Sequence, residues 1–186
     1  MSGRTPSQTV GPYFAIELTG RFPAGTAPAG APGAIRLRGR VLDGAGDPVN
    51  DAMVELWQAA PSGRYAHPDD PRDELSVPAG FTGFARTGTE ADGSFEFTIV
   101  KPGQVPWPEG GLQAPHLEVG VLARGLLKRL VTRLYFPDEE EANAADPFLS
   151  TLEPGPRATL VAVPDGGGLR FDVVLQGKRQ TAFFAV

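Results

Sequence analysis

The sequence predicts an all-β fold, an antiparallel β-sandwich of the kind that carries long irregular loops and an extended N-terminal arm. Three observations predict it. About eight short runs alternate or are enriched in strand-forming residues, and a single segment reads as helix. Gly 24 and Pro 19 in 186 residues, roughly double the average usage, supply turns and break helices. The length fits one domain at ~150 residues per domain.

The elements follow in chain order. Residues 1–34 carry Pro6, Pro12, Pro23, Pro28 and Pro32, too many for a regular element, and are expected to run along a surface as an arm. From Ile35, Ile-Arg-Leu-Arg-Gly-Arg-Val puts Ile35, Leu37, Gly39 and Val41 on one face and Arg36, Arg38 and Arg40 on the other, a half-buried strand. Asp43-Gly44-Ala45-Gly46-Asp47-Pro48 ends it, and a second strand is expected from Met53 to Gln58. Asp92-Gly93 turns into Phe95, Phe97 and Ile99, which alternate with polar neighbours. Further strands are expected at Leu117 to Ala123, Leu130 to Phe136, Thr159 to Val163, Leu169 to Leu175 and Thr181 to Val186. Asp138 to Ala145 reads as the helix, with Asp138 as cap, an acidic first turn and Asp146-Pro147 as its end. Residues 59–83 and 101–116 are long and irregular, and loops of that length in a domain are usually functional. The division expected is an arm over 1–34 and a sandwich over 35–186.

Composition narrows the chemistry. A net charge of −5 leaves no basic footprint for nucleic acid, and the absence of cysteine removes thiolate metal sites and thiol nucleophiles. No run of 18 apolar residues and no signal-peptide pattern occur, so no membrane role is expected and the cytoplasm is the default location. His67 and His116 are the only histidines and no serine sits in a Gly-x-Ser-x-Gly elbow, which disfavours a covalent hydrolase. Asp69, Asp70, Asp73 and Glu74 lack calcium-loop spacing.

His116 and Glu118 are two apart on a strand and share a face, while Tyr65 and His67 pair on the loop before them. Phenolate, carboxylate and imidazole together suit ferric iron, and histidines held simply by structural hydrogen bonds are the competing reading. Arg124, at the end of an apolar strand, can clamp a carboxylate with its planar guanidinium or serve only as surface.

Leu56-Trp57-Gln58-Ala59-Ala60-Pro61-Ser62-Gly63-Arg64-Tyr65, Gly93 before Phe95-Glu96-Phe97, Lys101-Pro102-Gly103, Pro106-Trp107, Pro115-His116 and Thr132-Arg133-Leu134-Tyr135-Phe136 resemble the intradiol ring-cleaving dioxygenases. The opening Thr5-Pro6-Ser7-Gln8-Thr9-Val10-Gly11-Pro12-Tyr13 and the closing Arg170-Phe171-Asp172-Val173-Val174-Leu175-Gln176-Gly177 are similar to the alpha chains of the family's two-chain members. The resemblance spans nearly the whole chain and is weakest at 20–34 and 66–82.

The resemblance implies a non-haem ferric ion held by two tyrosines and two histidines in the catalytic beta chain. Tyr65 matches the first tyrosine and His116 the first histidine, but Val105 stands where the second tyrosine belongs and Glu118 where the second histidine belongs. The expectation is therefore a chain with no catalytic residue and no metal of its own, in which Tyr65, Val105, His116 and Glu118 are remnant ligand positions. Its role would be to complete the substrate pocket of an iron-bearing beta subunit in a higher-order alpha–beta assembly, for cleavage of protocatechuate by O₂ in aromatic catabolism. The resemblance also implies that the arm over 1–34 packs on that partner subunit. Thr9, Gly11, Pro12, Tyr13 and Arg124 would line the pocket, with Arg124 attracting the anionic substrate. Two other readings differ in class: a stand-alone β-sandwich binding module without an enzymatic partner, and a self-sufficient metalloenzyme using Tyr65, His116 and Glu118.

Overall fold

Two sheets face one another across an apolar interior, and the outer face of one of them carries the candidate site. The computed structural model describes residues 8, 9, 11, 17–28 and 30–185. The first sheet centres on β1 (Ala34–Leu42), which pairs antiparallel with β4 (Ser94–Val100) along its length. On its other edge β1 pairs with β10 (Gly168–Arg170) and then β11 (Val173–Val174), and β10 forms a hairpin with β9 (Val163–Asp165). The second sheet runs β3 (Phe84–Gly88), β2 (Met53–Trp57), β7 (His116–Leu122), β8 (Leu130–Tyr135), antiparallel throughout. A small ribbon of β5 (Val105–Pro106) and β6 (Leu112–Gln113) lies within the loop at 101–116.

The alternation read from sequence is the alternation that packs. Leu37 and Val41 from β1, Phe95, Phe97 and Ile99 from β4, Val54 and Leu56 from β2, and Leu117, Val119 and Val121 from β7 interdigitate in one core. Burying such side chains at ~25 cal/mol per Å² is the main favourable term in folding. Arg36, Arg38 and Arg40 stay on the outer face, where Arg38 pairs with Asp165 and Arg40 with Asp92. Gly39 is inward as expected and irreplaceable, because a Cβ there would meet the Phe171 carbonyl at 1.9 Å.

Several expectations are corrected. The first sheet is mixed, since β10 and β11 run parallel to β1. Leu169 to Leu175 is broken at Phe171 and Asp172, whose carboxylate accepts a hydrogen bond from the Arg40 amide, leaving two short strands. Thr159 to Val163 is not a strand. Thr159 ends a short helix, α2 (Pro154–Ala158), started by a proline in its first turn, and only Val163 belongs to β9. The described part of Thr181 to Val186 is also irregular, with the Phe184 amide bonded to the Val131 carbonyl and its ring set edge-on to Phe148 at 4.7 Å. The expected helix is α1 (Glu140–Ala145), preceded by Glu139 rather than Asp138 and lacking a side-chain cap bond. Asp138 is drawn instead to Lys101 at 2.5 Å, an ion pair that the local sequence does not announce.

Part of the proline-rich arm lies on this chain's own sandwich. The Thr26 amide donates to the Thr98 carbonyl on β4 and the Thr98 amide to the Ala24 carbonyl, and the fully buried Thr26 hydroxyl donates to Gln58 at 2.8 Å. Among the described residues, no helix is long and apolar enough to cross a membrane.

Candidate functional site

Two glycines set the site's frame. Gly63, at φ +83, and Gly103 sit back to back, and a Cβ on Gly63 would lie 2.2 Å from the Gln104 carbonyl. This contact joins the loop carrying Tyr65 to the loop carrying Val105. Tyr65 stacks on Trp57 at 5.9 Å with rings nearly parallel, and its amide donates to the Asp70 carboxylate, which Arg72 clamps at 2.5 Å. The Arg72 bond holds the Asp70 carboxyl below the usual carboxylate range. A cleft of about 540 Å³ opens here, walled by Trp57, Tyr65, His67, Arg72, Val105 and Gln113. A larger hollow of about 720 Å³ lies elsewhere, over the charged outer face of β1 near Arg38, Arg40 and Asp172, and holds none of the candidate residues.

The remaining remnant positions come from β7. His116 is buried, and its Nδ1 donates to the Ala114 carbonyl at 2.8 Å, which leaves the proton on Nδ1. Burial, aided by the nearby Arg133 charge, pushes its pKa down to about 4, so the ring is neutral at neutral pH. Glu118 lies 3.9 Å from His116 Nε2, yet its carboxylate accepts a much closer bond of 2.7 Å from Arg133 Nε.

Arg133 is the residue that sequence reasoning missed. It stands directly across the β7–β8 pair from Glu118, and Nη1 donates further to Gln113 at 2.9 Å and to the Tyr135 hydroxyl at 3.4 Å. Its guanidinium also rests against the Phe148 and Phe184 rings at 5.3 and 5.6 Å. Although burial opposes its charge, Glu118 and Tyr135 together raise its pKa further. The available signal was the strand period: Arg133 and Tyr135 share a face of β8, opposite Glu118 and His116.

This donor set does not fit a ferric ion. Val105 is buried and has no donor atom, Glu118 is neutralised by Arg133, and the guanidinium brings a positive charge where a cation would have to sit. Burial and the neighbouring Glu118 raise the Tyr65 phenol's pKa.

The pocket-lining candidates lie elsewhere. Thr9 reaches the turn just beyond β7, where the amide of Gly125, the residue after Arg124, donates to the Thr9 hydroxyl at 3.2 Å. Arg124 is exposed and pairs with Asp51 at 2.9 Å. Eight residues separate Arg124 from His116, about 26 Å at ~3.3 Å per residue. The chain therefore does not unite them with its own remnant cleft. Gly11 is described without a polar contact to these groups, and Pro12 and Tyr13 lie outside the described residues.

A dioxygenase family model matches residues 21–177. The chain is 43% identical to the protocatechuate 3,4-dioxygenase alpha chain of Burkholderia cepacia, over 98% of this chain and 98% of that one. It is 34% identical to the beta chain from the same organism, over 79% of this chain and 66% of that one. Among solved structures, the dioxygenase domain of a dioxygenase carbohydrate-binding fusion from Streptomyces sp. SirexAA-E superposes with a TM-score of 0.60. The identity there is 28%, over 94% of this chain and 99% of that one.

Proposed function

The chain belongs to the intradiol ring-cleavage dioxygenases, and from that premise we propose that it is the noncatalytic alpha subunit of a protocatechuate 3,4-dioxygenase. The observation that carries this reading is the Glu118–Arg133 pair: a guanidinium holds the one acidic remnant ligand, while Val105 offers the metal nothing. A chain in this state contributes by assembly. Its relatives bear the names of separate alpha and beta chains, and those two share enough sequence with this one for all three to have one fold.

In this reading the beta subunit holds non-haem iron, which makes the bound catechol reactive toward O₂. The bond between the two hydroxyl-bearing carbons breaks, each carbon takes one atom of O₂ to become a carboxylate, and the two hydroxyl protons are released, converting protocatechuate to 3-carboxy-cis,cis-muconate. This chain's own share is positional and electrostatic. Thr9, Gly11, Pro12 and Tyr13 would line the partner's pocket, and Arg124 would supply positive charge at its mouth. The exposure of Arg124 and its distance from Tyr65 and His116 support a role outside this chain's own cleft. The assembly repeats as a higher-order alpha–beta oligomer in the cytoplasm.

The test is co-expression with a beta chain of the family, followed by iron analysis and O₂ uptake on protocatechuate. Expected are activity and iron in the complex, with neither in this chain alone. Stoichiometric iron and turnover in the isolated chain would establish the metalloenzyme reading instead. A stable homomer that never binds a beta chain would favour the stand-alone binding module.

A further inference from the structure

The register of the second sheet sets an acid opposite Arg124. Met53 faces Leu122 and Glu55 faces Gly120 across the β2–β7 pair, so two residues further along the same face Asp51 meets Arg124. Their atoms confirm the extrapolation, with Asp51 Oδ2 lying 2.9 Å from Arg124 Nε.

Three features make this more than a surface ion pair. First, Asp51 is held in place. The Ala52 amide donates to the Thr89 hydroxyl at 3.0 Å, the Thr89 amide returns a bond to the Ala52 carbonyl at 2.9 Å, and the same hydroxyl donates to the Val49 carbonyl at 2.8 Å. Second, Asp51 Oδ2 is buried without a hydrogen bond, and Arg124 is its cationic partner among the described residues. A buried carboxylate oxygen in that state binds its cation firmly, because separation would leave it both unpaired and dehydrated. Third, the two side chains differ in exposure, 22% for Asp51 against 67% for Arg124. The acid's Oδ2 lies beside Nε, and Nη1 and Nη2 make no hydrogen bond among the described residues.

We propose that Asp51 is the positioning residue of this site, holding the Arg124 guanidinium so that its two outer nitrogens present a fork to the carboxylate of an aromatic acid bound by the partner subunit. The inference rests on the reading of Arg124 given above. A free arginine samples many rotamers, and fixing Nε in advance removes that ordering from the binding step. The paired Nη groups match a carboxylate in a bidentate contact. Asp51 itself touches no substrate.

The test uses the assembled alpha–beta enzyme and compares protocatechuate with catechol, which lacks the carboxylate. Asp51→Ala is expected to lower kcat/KM for protocatechuate roughly threefold to tenfold, chiefly through KM, with catechol little changed. Asp51→Asn keeps the shape and an acceptor oxygen, and should fall between wild type and Asp51→Ala. In an Arg124→Ala background, Asp51→Ala should have no further effect on the protocatechuate-to-catechol ratio. A gain in protocatechuate affinity in Asp51→Ala would overturn the proposal, because it would show the acid only repelling the substrate. Equal losses for both substrates, or an effect that persists without Arg124, would overturn it as well. If Arg124→Ala alters the ratio and Asp51→Ala does not, the role of Asp51 fails and that of Arg124 stands. If Arg124→Ala leaves the ratio unchanged, the reading of Arg124 itself fails.

Discussion

Arg133 and Glu118 face each other across β7 and β8 with Nε 2.7 Å from Oε1, on the face of the sheet where Trp57 and Tyr65 stack. The guanidinium is 14% exposed and the carboxylate 27%, so the pair is well shielded from water. Removing one partner leaves the other charge with little solvent to replace it. Arg133→Met is expected to destabilise the fold by ~2–4 kcal/mol, read from urea unfolding, whereas the double variant Arg133→Met with Glu118→Leu should recover much of that loss. Additive losses in the double variant would show that the two charges are not coupled.

The same pair governs whether a metal site can be rebuilt. Val105→Tyr with Glu118→His restores the two missing donors, but Arg133 would remain beside them as an uncompensated cation. That double variant is expected to stay colourless and iron-free. Adding Arg133→Gln, which removes the charge and leaves a shorter polar side chain, should allow ferric iron to bind with a visible tyrosinate charge-transfer band. Iron uptake that does not depend on Arg133 would refute this account.

His116 sets an acid limit on stability. Its pKa of about 4 in the folded chain lies below the ordinary value of 6.5, so the unfolded state binds more protons between those two pH values. Stability conferred by the buried neutral ring is thus complete above pH ~6.5 and declines as pH falls toward 4, by up to about 3 kcal/mol. Unfolding free energies measured across that range should flatten in His116→Gln relative to wild type.

The arm divides into two parts with different expected effects. Deleting residues 1–13 removes the Thr9 contact with Gly125 and should impair the alpha–beta enzyme while the sandwich keeps its melting temperature. Deleting residues 1–28 also removes Thr26, fully buried and bonded to Gln58 and Thr98, and should lower the melting temperature by several degrees or more. Thermal melts of the two truncations distinguish these roles.

How much of this was legible depended on the range of the interaction. β1 and β4 could be read because Leu37, Val41, Phe95 and Phe97 alternate with charged or polar neighbours, a pattern carried by adjacent residues. β3 was missed because Phe84 to Gly88 contains one core residue, Ala85, and owes its conformation to pairing with β2. Thr159 to Val163 has strand-forming composition, yet the preceding Pro154 starts a helix and Leu160 is needed in a small cluster with Tyr135 and Leu149. At the site, the donorless side chain at Val105 and the carboxylate at Glu118 were legible one position at a time. Arg133 was not, since its meaning arises from the β7–β8 register, which no single run of residues specifies.

Arg124 offers the most direct test of how this chain serves a partner. Its guanidinium is largely exposed, so its attraction for a carboxylate acts partly through solvent and must respond to salt. An exposed pair is worth ~0.2–1 kcal/mol and a desolvated bidentate one several-fold more. In the assembled enzyme, Arg124→Ala should lower kcat/KM for protocatechuate by roughly twofold to tenfold or more and leave catechol nearly unchanged, since catechol is uncharged at neutral pH. Raising ionic strength shortens the screening length to about 8 Å at physiological salt and about 3 Å at 1 M, so the wild-type preference should shrink along that series. The Arg124→Ala enzyme, having lost the charge, should show a flatter salt response. If both substrates lose equally and salt has no effect, Arg124 is a structural element of the subunit contact, and carboxylate recognition belongs to the beta chain alone.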